Sequence, residues 1–490
     1  MRKELLFGVL IIAGIRFASA QTAPYHLLVL GIGDGRTTVQ VEKGVRLNRW
    51  GQVIGTYGGG LSGGTHAVLW TPNAANDGFS AGHLFAIESS PGLPPGTANT
   101  GPTGLNDRGQ VAGWAYTPGQ GDGNQTQSWM WRPKILDSDK GVLHGDQGKA
   151  VTFPLLTIPP LGTLAEYNQV INNKGVIGAH GINYRALLWT PNVENGMNGT
   201  WTYDPDHGGG PYGINDAGQI AGATCDDSTW NGPYLHSGPL PLLVTDILTS
   251  SLWISRTYGE CVGGAGGINA RGDLAISAVA ASNVIHAFIY RKGAIADISA
   301  GFASTASALN DLDQVVGHVD SDTRRAYLFE KGQALDLNAL TDSPNNPLLK
   351  ETLSINDEGQ ILASGVFSGG TGATVLLTPN ALVSNSVTFS LGTIVRSGST
   401  YTQTISVTNK GPTLMRGTIS VALDFLTPGV ILTNSTGATF YTGPGSKYVD
   451  LSSSDLNVGA TTPSLTLVFS NPQSKTINFR PRALQSSAAR

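Results

Sequence analysis

Apolar residues in this chain fall in short runs, many alternating with polar ones, and the runs are punctuated by Asn, Asp and Gly. A period of two over such short stretches predicts β-strands, and the punctuation predicts tight turns between them. One phrase recurs seven times, first as Leu47-Asn48-Arg49-Trp50-Gly51-Gln52-Val53. Its Asn stands at Asn48, Asn106, Asn172, Asn215, Asn269, Asn310 and Asn356, at spacings of 58, 66, 43, 54, 41 and 46 residues. An apolar residue ends one strand, Asn-x-x-Gly supplies the turn, and Gln-Val-x-Gly opens the next strand, so all seven Asn are assigned structural turn roles.

A second phrase follows most copies. It is His66-Ala67-Val68-Leu69-Trp70 in the first, Arg185-Ala186-Leu187-Leu188-Trp189 in the third and His286-Ala287-Phe288-Ile289-Tyr290 in the fifth. The fourth copy is hard to place, near Tyr234. These stretches predict buried third strands. Fourth strands such as Ala294–Asp297 and Gln333–Asp336 come next, after turns like Arg291-Lys292-Gly293. Four short antiparallel strands per repeat match a propeller blade, so residues 21–380 predict an all-β, seven-bladed β-propeller. An open stack or solenoid is the alternative. The seventh repeat stops after its third strand, and His26–Leu30 occupies a fourth-strand position before the first repeat. That strand is expected to complete the seventh unit and close the ring.

The paired phrases, Ile-Asn-Asp-x-Gly-Gln-Val-x-Gly and His-Ala-Phe-Leu-Trp in general form, resemble the bacterial extracellular repeats called the HAF family, from about Val45 to Leu377. Asp313 replaces the turn glycine in the sixth copy and Val176 stands where the third copy needs Gln. The resemblance implies an extracellular location and no particular activity.

After residue 380 the repeat phrases stop. Alternating runs such as Thr402–Val407, Thr418–Leu423 and Leu465–Phe469 predict an immunoglobulin-like β-sandwich over 381–490, on periodicity alone. At the other end, Arg2 and Lys3, the apolar run Leu5–Ile15 and Ala18-Ser19-Ala20 have the form of a cleaved signal peptide, residues 1–20. The expected product is secreted, extracellular or periplasmic, with no membrane span once cleaved.

Composition narrows the chemistry. Charged residues make up 13% and Gly numbers 65, a profile of many turns. The signal segment carries Arg2, Lys3, Arg16 and Glu4, a net +2, so its removal takes the formal charge from −4 to −6. An acidic surface argues against nucleic acid. Two cysteines, Cys225 and Cys261, are candidates for a disulfide in an oxidising compartment, with free thiols or a metal pair as alternatives. No G-x-S-x-G elbow, H-E-x-x-H helix, P-loop, dinucleotide fingerprint or calcium loop occurs. Asn310-Asp311-Leu312-Asp313 comes nearest to the last and is read as a repeat turn.

No cofactor or metal is expected, and catalytic residues stay unassigned. His66 and His286 share one repeat position and are read as structural. Asp297 and Asp336 share another and are expected to bond turn backbone. In an up-and-down unit the regular turns share one face and the variable loops the other. Tyr57, Trp114, Tyr116 and Trp230 on the variable face are the candidate ligand contacts, with packing of their own loops as the competing role. The sequence therefore predicts a monomeric, non-enzymatic binding protein for a glycan or extracellular protein. A carbohydrate-active hydrolase or lyase and a structural matrix protein are the alternatives.

Overall fold

The computed structural model describes residues 25–485 except 33–46, 58–63, 74, 77, 79–81, 88–98, 118–124, 139–142, 144–147, 153–156, 159–161, 164–166, 181–184, 226–230, 239, 242, 244–245, 247, 254–262, 300, 321–322, 331, 342–345, 380–386, 412–414, 416–417 and 440–445. Residues 1–20 and their signal segment therefore lie outside the described residues.

The fold is all-β. Helical structure among the described residues is confined to 3-10 turns, such as the one at Leu337–Ala339. Each Asn phrase sits in its own antiparallel hairpin, and each hairpin belongs to a separate small sheet or half-sheet. The fifth unit is typical, with Gly263–Ile268, Leu274–Val279, Ile285–Arg291 and Ala294–Asp297 in sequential order. The third and fourth units share one strand, Gly199–Ile214, which pairs with Arg185–Pro191 through its first part and with Gln219–Cys225 through its second. The fourth unit's obscure second phrase is the strand Asn231–Ser237. There Tyr234 takes the place that Tyr327 takes in the sixth, each lying over the glycine of the neighbouring strand, Gly222 and Gly317.

The seventh unit runs Leu348–Ile355, Ile361–Val366, Gly372–Pro379, and its fourth strand comes from the other end of the chain. Tyr25–Ile32 pairs antiparallel with Gly372–Pro379, from Tyr25 opposite Pro379 to Ile32 opposite Ala373. This is the closing strand the sequence leads one to expect. The Tyr25 amide also donates to the Leu340 carbonyl of the sixth unit at 2.9 Å. An apolar cluster of Leu47, Val53 and Trp70 with Leu362 and Leu376 joins the first unit to the seventh.

The hairpin turn explains why Asn recurs. In the sixth unit, Asn310 Oδ1 accepts from the backbone amides of Leu312 (3.0 Å) and Gln314 (3.1 Å). Its Nδ2 donates to Gln314 Oε1 (2.7 Å) and to the Asn356 carbonyl of the next unit (2.9 Å). Two acceptances and two donations are all that an amide side chain offers. The inter-unit bond repeats from Asn48 to Asn106, then to Asn172, Asn215, Asn269, Asn310 and Asn356. It ends with Asn356 Nδ2 donating to the Asn48 carbonyl at 3.1 Å, so seven hairpins form a closed cycle. The third unit, lacking Gln, keeps the inter-unit bond while Val176 offers no side-chain acceptor.

The turn glycine adopts positive φ in six copies, as Gly109 does at 75°. In the sixth copy Asp313 adopts φ 65°, which disfavours an L side chain. Its carboxylate meets Arg271 (2.5 Å) and Arg291 (3.0 Å) of the preceding unit, a set of contacts glycine cannot make. A register shift lies near the end of several first strands, as between Pro102 and Gly104, and bends the strand where units converge. A Cβ on Gly104 would come within 2.9 Å of the Gln169 carbonyl in the next unit, so the close approach requires glycine there.

Beyond residue 386 two antiparallel sheets enclose a second core. Val387–Leu391, Thr400–Asn409, Leu465–Ser470 and Ile431–Leu432 form one sheet. Gly437–Thr439, Ser446–Ser452, Ile419–Asp424 and Arg480–Gln485 form the other. Ile405, Val407 and Phe469 from the first sheet pack against Val421, Leu423 and Val449 from the second, which is a β-sandwich.

Candidate functional site

A cavity of about 330 Å³ lies where the seven hairpins converge. Its wall is the apolar residue that ends each first strand, from Leu47 and Leu105 round to Ile355, followed by the Asn of each turn. At its mouth stand the residues one past each Asn: Arg49, Asp107, Asn173, Asp216, Ala270, Asp311 and Asp357. The described concavity thus lies on the face of the regular turns, whereas sequence reasoning directed attention to the variable loops.

The mouth carboxylates are engaged with their neighbours. Asp107 Oδ1 accepts from the Arg49 amide (2.8 Å), Asp216 Oδ1 from Asn173 (2.8 Å), Asp311 Oδ1 from Ala270 (2.9 Å) and Asp357 Oδ1 from Asp311 (2.8 Å). Asn173 Nδ2 bridges Asp107 and Asp216, at 2.9 Å to each. A second circle of side-chain to backbone bonds therefore reinforces the Asn cycle over five of the seven steps, Asn173 itself accepting from the Asp107 amide. Burial raises the Asp107 carboxyl above its ordinary value. Burial, then the Asp357 charge, pushes Asp311 up to about 6.

Two arginines of the sandwich stand against this mouth. Arg480 forms an ion pair with Glu358, the residue after Asp357, and burial lowers its guanidinium to about 10, with Arg49 adding repulsion and Asp357, Asp107 and Asp311 opposing it. Arg482 pairs with Glu358 and, at 3.1 Å, with Asp424 of its own domain. Its Nη2 donates to the Asp357 carbonyl at 2.6 Å. Sequence reasoning missed this group. One signal was present: the third position of the seven phrases reads Trp, Arg, Lys, Ala, Arg, Leu and Glu, so Glu358 is its one acid.

The residues singled out from the sequence are distributed as follows. Tyr57 packs on His66, ring centroids 5.2 Å apart. Trp114 lies across Gly101 of the neighbouring strand, where a Cβ would meet its ring at 2.5 Å. Both occupy their own sheets. The side chain of Tyr116 and the whole of Trp230 lie outside the described residues. The Cys225 backbone ends the strand Gln219–Cys225, but its side chain and Cys261, and with them the expected disulfide, lie outside the described residues.

His286 Nδ1 meets Asp297 Oδ2 at 2.7 Å, while Asp297 Oδ1 accepts from the Ser299 amide. Arg325 and Asp336 repeat the arrangement, with Asp336 Oδ1 accepting from the Asn338 amide. The recurrence in successive units is that of a strap holding the fourth strand. In the nearest approach to a calcium loop, Asp311 accepts from the Ala270 amide as its counterparts do in other turns, and Asp313 pairs with Arg271 and Arg291.

His180 is buried against Gly210 and edge-on to Tyr212, and burial lowers its imidazole to about 4, which leaves it neutral at pH 7. Among the described residues no group of three or more His, Cys, Asp or Glu is placed to hold a metal ion. Nor is any helix there long and apolar enough to cross a membrane.

No protein-family model matches the chain, and no curated protein matches it. Among solved structures it is similar to a Trypanosoma rangeli sialidase in complex with sialic acid, at 9% identity and a TM-score of 0.34, over 94% of this chain and 93% of that one. It is also similar to a glucose dehydrogenase, at 13% identity and a TM-score of 0.31, over 61% of this chain and 98% of that one.

Proposed function

We propose that this chain is an exported, non-enzymatic interaction protein, a seven-bladed β-propeller that acts as a platform, with an immunoglobulin-like sandwich as its accessory. One observation carries this reading. The carboxylates gathered at the concave mouth are spent on the scaffold, each accepting a backbone amide of the neighbouring unit. A glycoside hydrolase needs one carboxyl to give a proton and another to attack or to activate water. Tethered acceptors beneath two arginines suit neither task. The Arg2–Ala20 signal pattern and the extracellular repeat resemblance support export, and the face opposite the regular turns, where the variable loops lie, is the surface proposed for a glycan or an extracellular protein.

A carbohydrate-active hydrolase or lyase is the second reading. What favours it is the same mouth: four aspartates with Arg49 and Arg480, one of the acids titrating near 6. Two assays on the purified protein separate the readings, a glycan array and a panel of fluorogenic glycosides. Saturable, selective array binding that persists in Asp311→Asn, with no turnover, is the expected result. Turnover that Asp311→Asn abolishes would establish the enzyme instead.

A further inference from the structure

The outer face of the second sandwich sheet is covered. In Ile419–Asp424 the alternate residues Ile419, Val421 and Leu423 enter the sandwich core, yet Ser420, Ala422 and Asp424 on the opposite face are fully buried as well. A sheet exposed to water on one side shows alternation, and burial on both faces marks a third layer. The contacts on that side lead to the seventh hairpin of the ring, through Arg480 and Arg482 to Glu358 and the Asp357 carbonyl.

This contact is ionic in character. Among the described residues none of the apolar clusters has members in both domains: two are built of sandwich residues and the rest of ring residues. Among the described residues the two cores are thus separate clusters. What joins them is a desolvated ion cluster, in which Arg482 is 1% exposed, Glu358 3% and Asp424 0%. Breaking a buried pair from one side leaves an uncompensated charge, so such a cluster holds firmly until one member is neutralised or displaced. Arg482 bonds the carbonyl of Asp357, which lines the cavity, and Arg480 lies within the electrostatic reach of Asp357, Asp107 and Asp311, so the pair stands at the cavity's rim.

We infer that the sandwich is a charge-latched lid at the rim of the hairpin cavity, held down by Arg480 and Arg482 on Glu358. The latch lies outside the hairpin scaffold. Glu358 enters the turn through its backbone amide, which donates to Asn356 Oδ1, and the turn needs nothing of its carboxylate. Arg482 keeps Asp424 as a partner when Glu358 is neutralised.

Small-angle scattering of the full chain tests the inference. The wild type is expected to be compact at both low and moderate salt, because buried pairs are screened weakly. Glu358→Gln is expected to lengthen the maximum dimension by on the order of 10 Å, the radius scale of a domain the size of the sandwich. Arg480→Gln, made on the sandwich side, is expected to lengthen it in the same direction, with the thermal transition of the ring unmoved in both variants. Unchanged dimensions in the two variants would overturn the lid. Loss of the ring's own transition in Glu358→Gln would overturn it equally, since Glu358 would then belong to the scaffold.

Discussion

Replacing Asn310 by Asp is expected to destabilise the ring by about 3–5 kcal/mol, the cost of placing an uncompensated charge in a buried polar network. The substitution is nearly isosteric and keeps both acceptances from Leu312 and Gln314. It removes both donations, so a carboxylate faces Gln314 Oε1 at 2.7 Å and the Asn356 carbonyl at 2.9 Å, in a side chain 3% exposed. Neither oxygen can turn away. Gln314 is itself bonded to Glu330, and the Asn356 carbonyl also accepts from the Gly359 amide. Urea unfolding followed by tryptophan fluorescence reads the loss as a lowered midpoint. A midpoint within about 0.5 kcal/mol of wild type, the range of ordinary surface substitutions, would mean that the inter-unit bond does not hold the ring.

Removal of residues 21–32 is expected to have a larger effect. The deletion takes away the strand Tyr25–Ile32, with buried Tyr25 and Leu27, and its whole ladder to Gly372–Pro379. Full burial of one large apolar side chain contributes about 1.5–3 kcal/mol. Two such side chains and a ladder of net hydrogen bonds at about 1 kcal/mol each approach the whole stability of an ordinary domain. The strand left behind carries Val375, Leu376 and Leu377 on an unpaired edge, which is a template for association with other chains. The expected outcome is a sharp fall in soluble yield and aggregation during refolding, read by size-exclusion chromatography with light scattering. A soluble monomer with the wild-type melting temperature would show that the strand is dispensable.

Much of the architecture was legible because it repeats. The Asn-x-x-Gly phrase marks each hairpin wherever it falls, even though the spacing ranges from 41 to 66 residues. The unmatched strand at the start was legible because the last repeat lacked a fourth. The reason for Asn was not legible: a turn accepts Asp or Asn alike, and what excludes Asp is a donor bond to a carbonyl in the next unit, 41 residues or more away. The latch was hidden for a similar reason. Glu358 stands at a position that varies freely among the repeats, and Arg480 and Arg482 alternate with Pro481 as solvent-facing strand residues would. Their meeting joins residues more than 120 apart across two domains that share no sequence pattern. Tyr57 and Trp114 were identified as aromatic residues on one face, but the local glycine and histidine that they pack against carried no signal by themselves.

The central claim is that the seven hairpins close on themselves. A double-mutant cycle between the first and the last measures it directly, with Leu47→Ala and Leu362→Ala made singly and together in the full chain. These residues are 315 positions apart in sequence and share one buried cluster across the closure. The closed ring predicts a coupling energy of about 0.5–3 kcal/mol, the range for residues in contact. Additivity of the two losses to within about 0.3 kcal/mol, as for distant sites, would contradict closure.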